Sequence, residues 1–198
     1  MADQIDVLRQ ALARPTAASS DFDLNPGAVP PEGRLLRAAG VLVPVIQGAQ
    51  GLELVLTKRS SALRHHPGQI AFPGGKQDEA DADVIGAALR EAREEIGLQT
   101  EQVTLLGQLP THETVTSFLM TPVVGLITGD FTPVAEPGEV DEVFQVPFSH
   151  VANLDNYSVQ SRRWRGQRRQ YYTVPYGPYY VWGATARILR GLAERLAA

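Results

Sequence analysis

The stretch Phe72 to Leu98, FPGGKQDEADADVIGAALREAREEIGL, constrains the fold most. After a Pro-Gly-Gly segment, Ile85, Ala88, Leu89, Ala92 and Ile96 recur at helical spacing. A helix with such a face must bury it against another layer. Its other side carries Glu91, Glu94 and Glu95, with Glu91 and Glu95 one turn apart. Like charges at that spacing repel and weaken the helix. A hard divalent cation with oxygen ligands would remove the repulsion. So would plain solvation, because acidic runs are common on exposed helix faces. The helix is expected to start near Asp81 or Asp83, either of which can cap free backbone amides. Gly97 suits its C-terminal end, and Gly86 is a weak point inside it.

Other elements follow from pattern and punctuation. Ile5, Leu8 and Leu12 suit a short amphipathic helix ending before Pro15. Residues 15–33, rich in Pro, Ala, Ser and Gly, are expected to form an irregular linker or surface wrap. Leu35 to Ile46 reads as a buried strand with Pro44 near an edge or bulge. Leu52 to Lys58 completes a hairpin with it. Residues 59–70 form a polar loop entering a short strand at Gln69 to Phe72, and Pro73-Gly74-Gly75 a tight turn. Further strands are expected at Val103 to Leu109, Phe118 to Ile127 and Val143 to Val146, with a polar connection over His112, Glu113 and Thr114. Pro147 opens a short helix. Tyr157 to Trp164 and Gln167 to Val174 form an exposed hairpin around Arg165-Gly166, Tyr179 to Trp182 a last short strand, and Ala184 to Leu196 a closing amphipathic helix. Strands interspersed with distant helices give an α/β fold, a mixed sheet covered on both sides. The absence of regular βαβ units argues against a doubly wound nucleotide fold.

The chain of 198 residues suits one compact domain, residues 34–198, preceded by a helix-and-linker appendage over residues 1–33. A net charge of −4 provides no global basic field for nucleic acid. With no cysteine, neither a disulfide framework nor thiolate zinc chemistry is available. The first residues lack the apolar core of a secretory signal, and no apolar run would span a bilayer. A cytoplasmic protein with no membrane partner is the expectation.

Phosphate motifs narrow the chemistry. Gly74-Gly75-Lys76 imitates the end of a Walker loop, but Ile70 and Gln77 stand where that loop needs Gly and Ser or Thr. After His112-Glu113, Thr116 stands where a zinc-protease helix needs its second His. What remains is a glycine segment leading into a helix with clustered glutamates. That combination suits metal-assisted displacement at phosphorus, in which a cation neutralises phosphate charge and acidifies a water.

The stretch resembles the Nudix box, Gx5Ex7REUxEExGU with U aliphatic. Arg90, Glu91, Ala92, Glu94, Glu95, Gly97 and Leu98 match its second half. In the first half Asp81 stands at the Glu position counted from Gly75, and the step from Asp81 to Arg90 is one residue too long. Asp81, Asp78 or Asp83 could therefore supply the carboxylate that orients the helix. Upstream, residues 54–75, LVLTKRSSALRHHPGQIAFPGG, resemble the additional signature of the coenzyme A pyrophosphatases within that superfamily, roughly LLTxRxxxxRxHxGQxxFPGG. The one-residue insertion is similar to that subfamily too, as is WGATARIL over residues 182–189.

The resemblance implies a Nudix-type α/β/α sandwich with a mixed β-sheet, and hydrolysis of the diphosphate of coenzyme A and its thioesters using Mg²⁺ or Mn²⁺. It implies Glu91 and Glu95 as primary metal ligands, with Glu94 a further or water-mediated one and Gly75 at the same metal. Arg90 would pair with an acid near the loop and hold the helix against the glycines. Glu139 is the candidate for a late acid acting as general base, with Glu142 and Glu113 as rivals. Substrate contact falls to Arg59, Arg64, His66 (or His65), Gln69, Gly74, Gly75 and Lys76; Gln69 could instead stitch the loop to the turn. Rivals are a Nudix enzyme for ADP-ribose or NADH, and a catalytically silent Nudix module.

Arg162, Arg163, Arg165, Arg168 and Arg169 interleave with Trp164, Tyr171 and Tyr172. Basic residues among aromatics can bind nucleic acid, but the acidic overall balance opposes that. A solvated hairpin or a homodimer contact is expected, with a clamp for the 3′-phosphate or adenine of coenzyme A as the other reading.

Overall fold

The structure, a computed structural model, describes residues 2–30, 32–164 and 166–198; Arg165 of the arginine hairpin lies outside them. In chain order the elements are α1 (Ala2–Ala13), β1 (Ser19–Ser20), β2 (Arg37–Gly48), β3 (Gly51–Arg59), β4 (Ile70–Ala71), β5 (Gly74–Lys76), α2 (Val84–Ile96), β6 (Val103–Gln108), β7 (His112–Glu113), β8 (Phe118–Ile127), β9 (Val140–Pro147), α3 (Phe148–Ala152), β10 (Ser158–Trp164), β11 (Gln167–Thr173) and α4 (Ala184–Ala197).

Alternation along β2 and β3 sets the layers, because successive strand residues face opposite ways. Val41, Val43 and Val45 of β2, with Leu54 and Leu56 of β3, enter a large core shared with α1 and α4. Leu42 and Val55 point the other way, into a smaller core closed by Ala88, Ala92 and Ile96 of α2. Helices thus cover both faces of a mixed sheet, as an α/β/α sandwich requires. β2 runs parallel to β8 and antiparallel to β3, while β9 extends β3 on its other side.

The sheet differs from the sequence expectation at several places. Pro44 lies inside β2, a central strand, rather than at an edge. Its missing N–H is tolerated because β2 pairs with β5 over Ala39 to Val41 and with β3 from Val45 onward. Pro44 falls in the interval between. Gly74 and Gly75 belong to β5 rather than to a tight turn, and β5 pairs with β2 while α2 packs over both. The expected strand at Tyr179 to Trp182 is reduced to isolated bridges, Thr173 with Trp182 and Tyr176 with Tyr179. His112 and Glu113 form β7, which pairs in parallel with β1 inside the segment expected to be irregular.

Parts of the N-terminal segment, from Leu8 to Asp21, pack against the rest of the fold. Leu8 is fully buried in the large core and Leu12 nearly so. Arg195 of α4 is also buried, and its Nη1 donates to Ala11 O at 3.1 Å and Leu12 O at 3.0 Å. The last carbonyls of a helix lack intrahelical donors, and a cation suits that end of the dipole. Arg195 therefore caps α1 from the far end of the chain. Farther along, buried His112 lies between Ser19 Oγ (2.9 Å from Nδ1) and Asp21 Oδ1 (3.2 Å from Nε2), which fastens β1 to the sheet. Among the described residues no helix is long and apolar enough to cross a membrane.

Candidate active site

Gly40 and the glycines of β5 bring α2 unusually close to the sheet. A Cβ on Gly40 would stand 2.0 Å from Val84 O and 2.8 Å from Ala88 N, so the helix backbone passes directly over that position. A Cβ on Gly74, where φ is +155°, would stand 2.6 Å from Gly40 O. At Gly75 it would meet the Glu91 carboxylate at 2.4 Å. Side-chain-free backbone is thus what lets α2 lay its carboxylates along β5. Asp83 caps the helix, accepting from Gly86 N at 2.8 Å, and Gly97 ends it in the left-handed region at φ 72°.

Arg90 organises the acids. Its Nε and Nη2 donate to the two oxygens of Asp81 at 2.9 and 3.0 Å, and Nη2 also donates to Lys76 O at 3.1 Å. Nη1 donates to Glu91 at 2.9 Å and Glu94 at 3.0 Å. Of the alternatives open in the sequence, Asp81 is the main partner of Arg90. Asp83 is the cap, and Asp78 stays 3.8 Å from Arg90. The bidentate bond holds the Asp81 carboxyl below its ordinary range, assisted by the Asp78 amide. The same bond raises the pKa of Arg90. The side chain tied to the strand-to-helix connection is thus the one the glutamates lean on.

Glu95 is only 4 % exposed. Burial pushes its pKa up to about 7; the hydrogen bond from Gly74 N opposes this, the charge of Glu91 adds to it, Arg59 opposes it and Glu139 adds to it. Gly74 N donates at 3.2 Å, and Arg59 Nη1 stands 4.0 Å from Glu95 Oε1. Glu91 is raised as well, by burial first, against the Arg90 hydrogen bond. Glu94 is half exposed. Among the described residues no three such groups already converge at metal-ligand spacing; Glu91 and Glu94 are both drawn onto Arg90. The donor set nevertheless fits a hard cation: all oxygens, on neighbouring turns of α2, with a buried carboxyl whose ion-pair partner, Arg59, stands no nearer than 4.0 Å. A carboxyl with a raised pKa beside others is the electrostatic condition that a cation relieves.

Glu139 is delivered by the connection between β8 and β9. Val134 N and Glu136 N donate to Ile96 O and Glu95 O, taking up carbonyls at the end of α2. Glu139 O then accepts from Ser60 N at 2.8 Å, just past β3. Its carboxylate is exposed and acts electrostatically on both Glu91 and Glu95. The rivals are engaged elsewhere: Glu142 accepts from Tyr179 Oη, and Glu113 pairs with Arg34.

These features coincide with the family comparison, in which a model described as the NUDIX domain matches residues 36–165. This chain belongs to the Nudix family. A protein of Enterobacter sp., named as an uncharacterized Nudix hydrolase NudL, is 45 % identical over 160 residues, spanning 81 % of this chain and 83 % of its own. A Klebsiella pneumoniae protein of the same name is 44 % identical over 162 residues, 82 % of this chain and 84 % of its own. Among solved structures, the MutT protein from Methanosarcina mazei Go1 superposes with a TM-score of 0.52 at 18 % identity, covering 84 % of this chain and 96 % of that one. A MutT/nudix family protein from Enterococcus faecalis gives 0.52 at 16 % identity over 86 % of this chain and 66 % of that one. Both show the shared fold. The protein is a Nudix hydrolase of the pyrophosphatase class.

The upstream loop of this Nudix hydrolase lies beside the carboxylate helix. Arg59 closes β3 and is the member nearest the acids. Gln69 returns next to it, its carbonyl accepting from Arg59 N at 2.9 Å. Its side chain bonds His66, whose pKa is lowered by partial burial first, with that bond opposing and the charges of Arg59, His65 and Arg162 adding to the decrease. The Gln69 backbone amide in turn donates to His66 O at 3.3 Å. His66 also holds φ at +57°, an uncommon conformation for a side-chain-bearing residue, next to Pro67-Gly68. Arg64 stands exposed on the outer part of the loop and is not drawn in. Lys76 is mostly exposed, with Nζ 3.8 Å from Asp78 rather than over the glycines. A cavity of about 260 Å³ bordered by Arg14, Ser19 and Arg195 lies between the N-terminal segment and α4, away from these acids.

Proposed function

We propose that this Nudix hydrolase cleaves the diphosphate bond of coenzyme A and its thioesters, giving 3′,5′-ADP and 4′-phosphopantetheine or its acyl form. The observation that carries the proposal is the position of the upstream signature: residues 59–75 run from Arg59, 4.0 Å from Glu95, to Gly75, against Glu91. The loop whose sequence is similar to that of coenzyme A pyrophosphatases thus borders the carboxylates at both of its ends.

Glu91, Glu95 and Glu94, with Gly75 beside them, would hold Mg²⁺ or Mn²⁺. Such an ion supplies neutralisation of the diphosphate and a more acidic attacking water. Arg90 keeps Glu91 and Glu94 oriented through Asp81. Arg59 offers a guanidinium to a phosphate oxygen, a pairing favoured by its planar donors. Gly74 and Gly75 set the backbone of β5 directly beside the carboxylates, where the diphosphate would lie, and Glu139 would accept the water's proton. A general base must reach that proton within hydrogen-bond distance in the bound complex. The site suits a cytoplasmic small-molecule enzyme, coenzyme A being a soluble anionic metabolite.

The test is turnover of coenzyme A, acetyl-coenzyme A, ADP-ribose and NADH with Mg²⁺ and with Mn²⁺. Coenzyme A compounds should give the highest kcat/KM, and the products should be 3′,5′-ADP and the phosphopantetheine half. Faster turnover of ADP-ribose or NADH would overturn the substrate assignment.

A further inference from the structure

The arginine hairpin β10–β11 bears on the active-site loop, although its sequence alone favoured a solvated surface. Thr173 at the end of β11 bridges to Trp182, and Gly183 N donates to Tyr172 O at 3.0 Å. Directly after that corner, Thr185 Oγ1 donates to Ile70 O at 3.1 Å, and Gly183 faces the Gln69 side chain. Trp182 thus stands where the hairpin meets β4, the strand that follows Gln69.

Arg162 lies over this corner, with its guanidinium carbon 4.1 Å from the centroid of the Trp182 ring. The edge of the indole meets Tyr171, centroids 5.1 Å apart at 62°, and Tyr171 Oη is 3.3 Å from Tyr180 Oη. Tyr180 remains 45 % exposed. Arg162 is exposed, yet its guanidinium is held over an aromatic ring. Stacking uses the face of the group and leaves the N–H donors on its edge to bind something else. Among the described residues no carboxylate lies within ion-pair distance of Arg162. The neighbouring arginines are used otherwise: Arg168 Nε donates to Ser161 Oγ at 2.9 Å, and Arg169 lies over Phe22 at 5.7 Å. The charges of Arg59 and Arg162 both act on His66, in the loop between β3 and β4.

We propose that Arg162, Trp182, Tyr171 and Tyr180 form the subsite for the phosphorylated nucleoside end of the substrate, Arg162 binding its 3′-phosphate and the tyrosines its purine. The inference rests on the coenzyme A reading and supplies what that reading lacks, a place for the phosphate that is not cleaved. A guanidinium pre-set by an aromatic ring loses little freedom on binding a phosphate. Aromatic faces bind purines by stacking without reading the base. The subsite therefore discriminates by the 3′-phosphate rather than by the base.

The experiment compares coenzyme A with 3′-dephospho-coenzyme A, using the wild type, Arg162→Ala, Arg162→Lys and Arg163→Ala as an exposed control on the same strand. Binding of 3′,5′-ADP and of 5′-AMP is measured by calorimetry alongside. Arg162→Ala should raise KM for coenzyme A roughly tenfold, the scale of one charged hydrogen-bonding group, with kcat nearly unchanged. Its KM for the dephospho compound should stay within about twofold, Arg162→Lys should recover part of the loss, and Arg163→Ala should behave as wild type. The wild type should bind 3′,5′-ADP more tightly than 5′-AMP, and Arg162→Ala should lose that preference. An unchanged KM ratio in Arg162→Ala, or equal wild-type binding of the two nucleotides, overturns the subsite. If coenzyme A is not hydrolysed but the nucleotide preference still depends on Arg162, the substrate reading fails and the subsite stands.

Discussion

At Gly75 the absence of a side chain makes room for a carboxylate. The space a Cβ would take is occupied by the Glu91 carboxylate, 2.4 Å away. Because that carboxylate ends a flexible side chain, Gly75→Ala should displace Glu91 without dismantling β5. The expected result is a kcat loss on the order of 10²-fold, the usual scale for a misplacement of about 1 Å, with an almost unchanged melting temperature. Gly74→Ala should behave differently. Its Cβ would meet Gly40 O and Val41 Cα at 2.6 Å, backbone that cannot rotate away, at a φ of +155°. Soluble yield and melting temperature should both fall. Comparing kcat and thermal unfolding across the pair separates the two roles, and equal thermal damage in both would refute the distinction. The sequence showed that a glycine pair precedes the helix. It did not show which glycine guards the fold and which the carboxylate, because that depends on which side of β5 each Cα faces. The acids Asp78, Asp81 and Asp83 were ambiguous for a similar reason. All lie within one connection, and only its path determines that Asp81 meets Arg90 while Asp83 caps α2.

At the scale of elements, α2 was legible at its C-terminal end, Gly97, and to within two residues at its start, where Asp83 rather than Asp81 is the cap; its apolar residues face the sheet as their spacing required. Its distance from the sheet was not legible, because that depends on Gly40, far away in β2. Gly40→Ala would place a methyl 2.0 Å from Val84 O, and relief requires α2 to lift. Overpacking of a fitted core commonly costs about 1–3 kcal/mol, occasionally more, and a rigid backbone obstacle belongs at the upper end. Chemical denaturation of Gly40→Ala should show a loss of about 3 kcal/mol, with kcat reduced as Glu91 and Glu95 recede from β5. A variant with wild-type stability would contradict this account of how α2 is seated. Pro44 marks another limit of strand reading. A proline argues against a central strand only when the N–H it lacks would have met a partner, and in β2 the partner changes at that point.

For the molecule as a whole, pattern alone gave the layered α/β class, whereas the seating of the first residues depended on contacts across almost the full chain. Leu8 fits the large core and Arg195 caps α1, neither of which a proline-rich linker announces. Stability should carry the imprint of the site on this scale. In the metal-free protein Glu95 titrates at about 7 instead of its ordinary 4.5, because it is buried. Between those values the folded chain keeps a proton that the unfolded chain has released, so stability falls as pH rises. The contribution is full below pH 4.5 and lost as pH rises through about 7. A shift of that size corresponds to at most about 3 kcal/mol. His66, lowered from 6.5, acts in the opposite direction, and Glu91, raised by burial, adds to the Glu95 effect. The informative quantity is therefore the difference between the wild type and Glu95→Gln, in which those shared contributions largely cancel. In chelator, unfolding free energies from urea titrations should favour the variant increasingly from pH 4.5 to pH 7.5. Saturating Mg²⁺ should then stabilise the wild type at pH 7.5, where its carboxylates are charged, and do so far less for the variant, since a ligand that binds only the folded state adds its binding free energy to stability. A pH-independent difference between the two proteins would mean that the Glu95 carboxyl is already ionised and solvated without a cation.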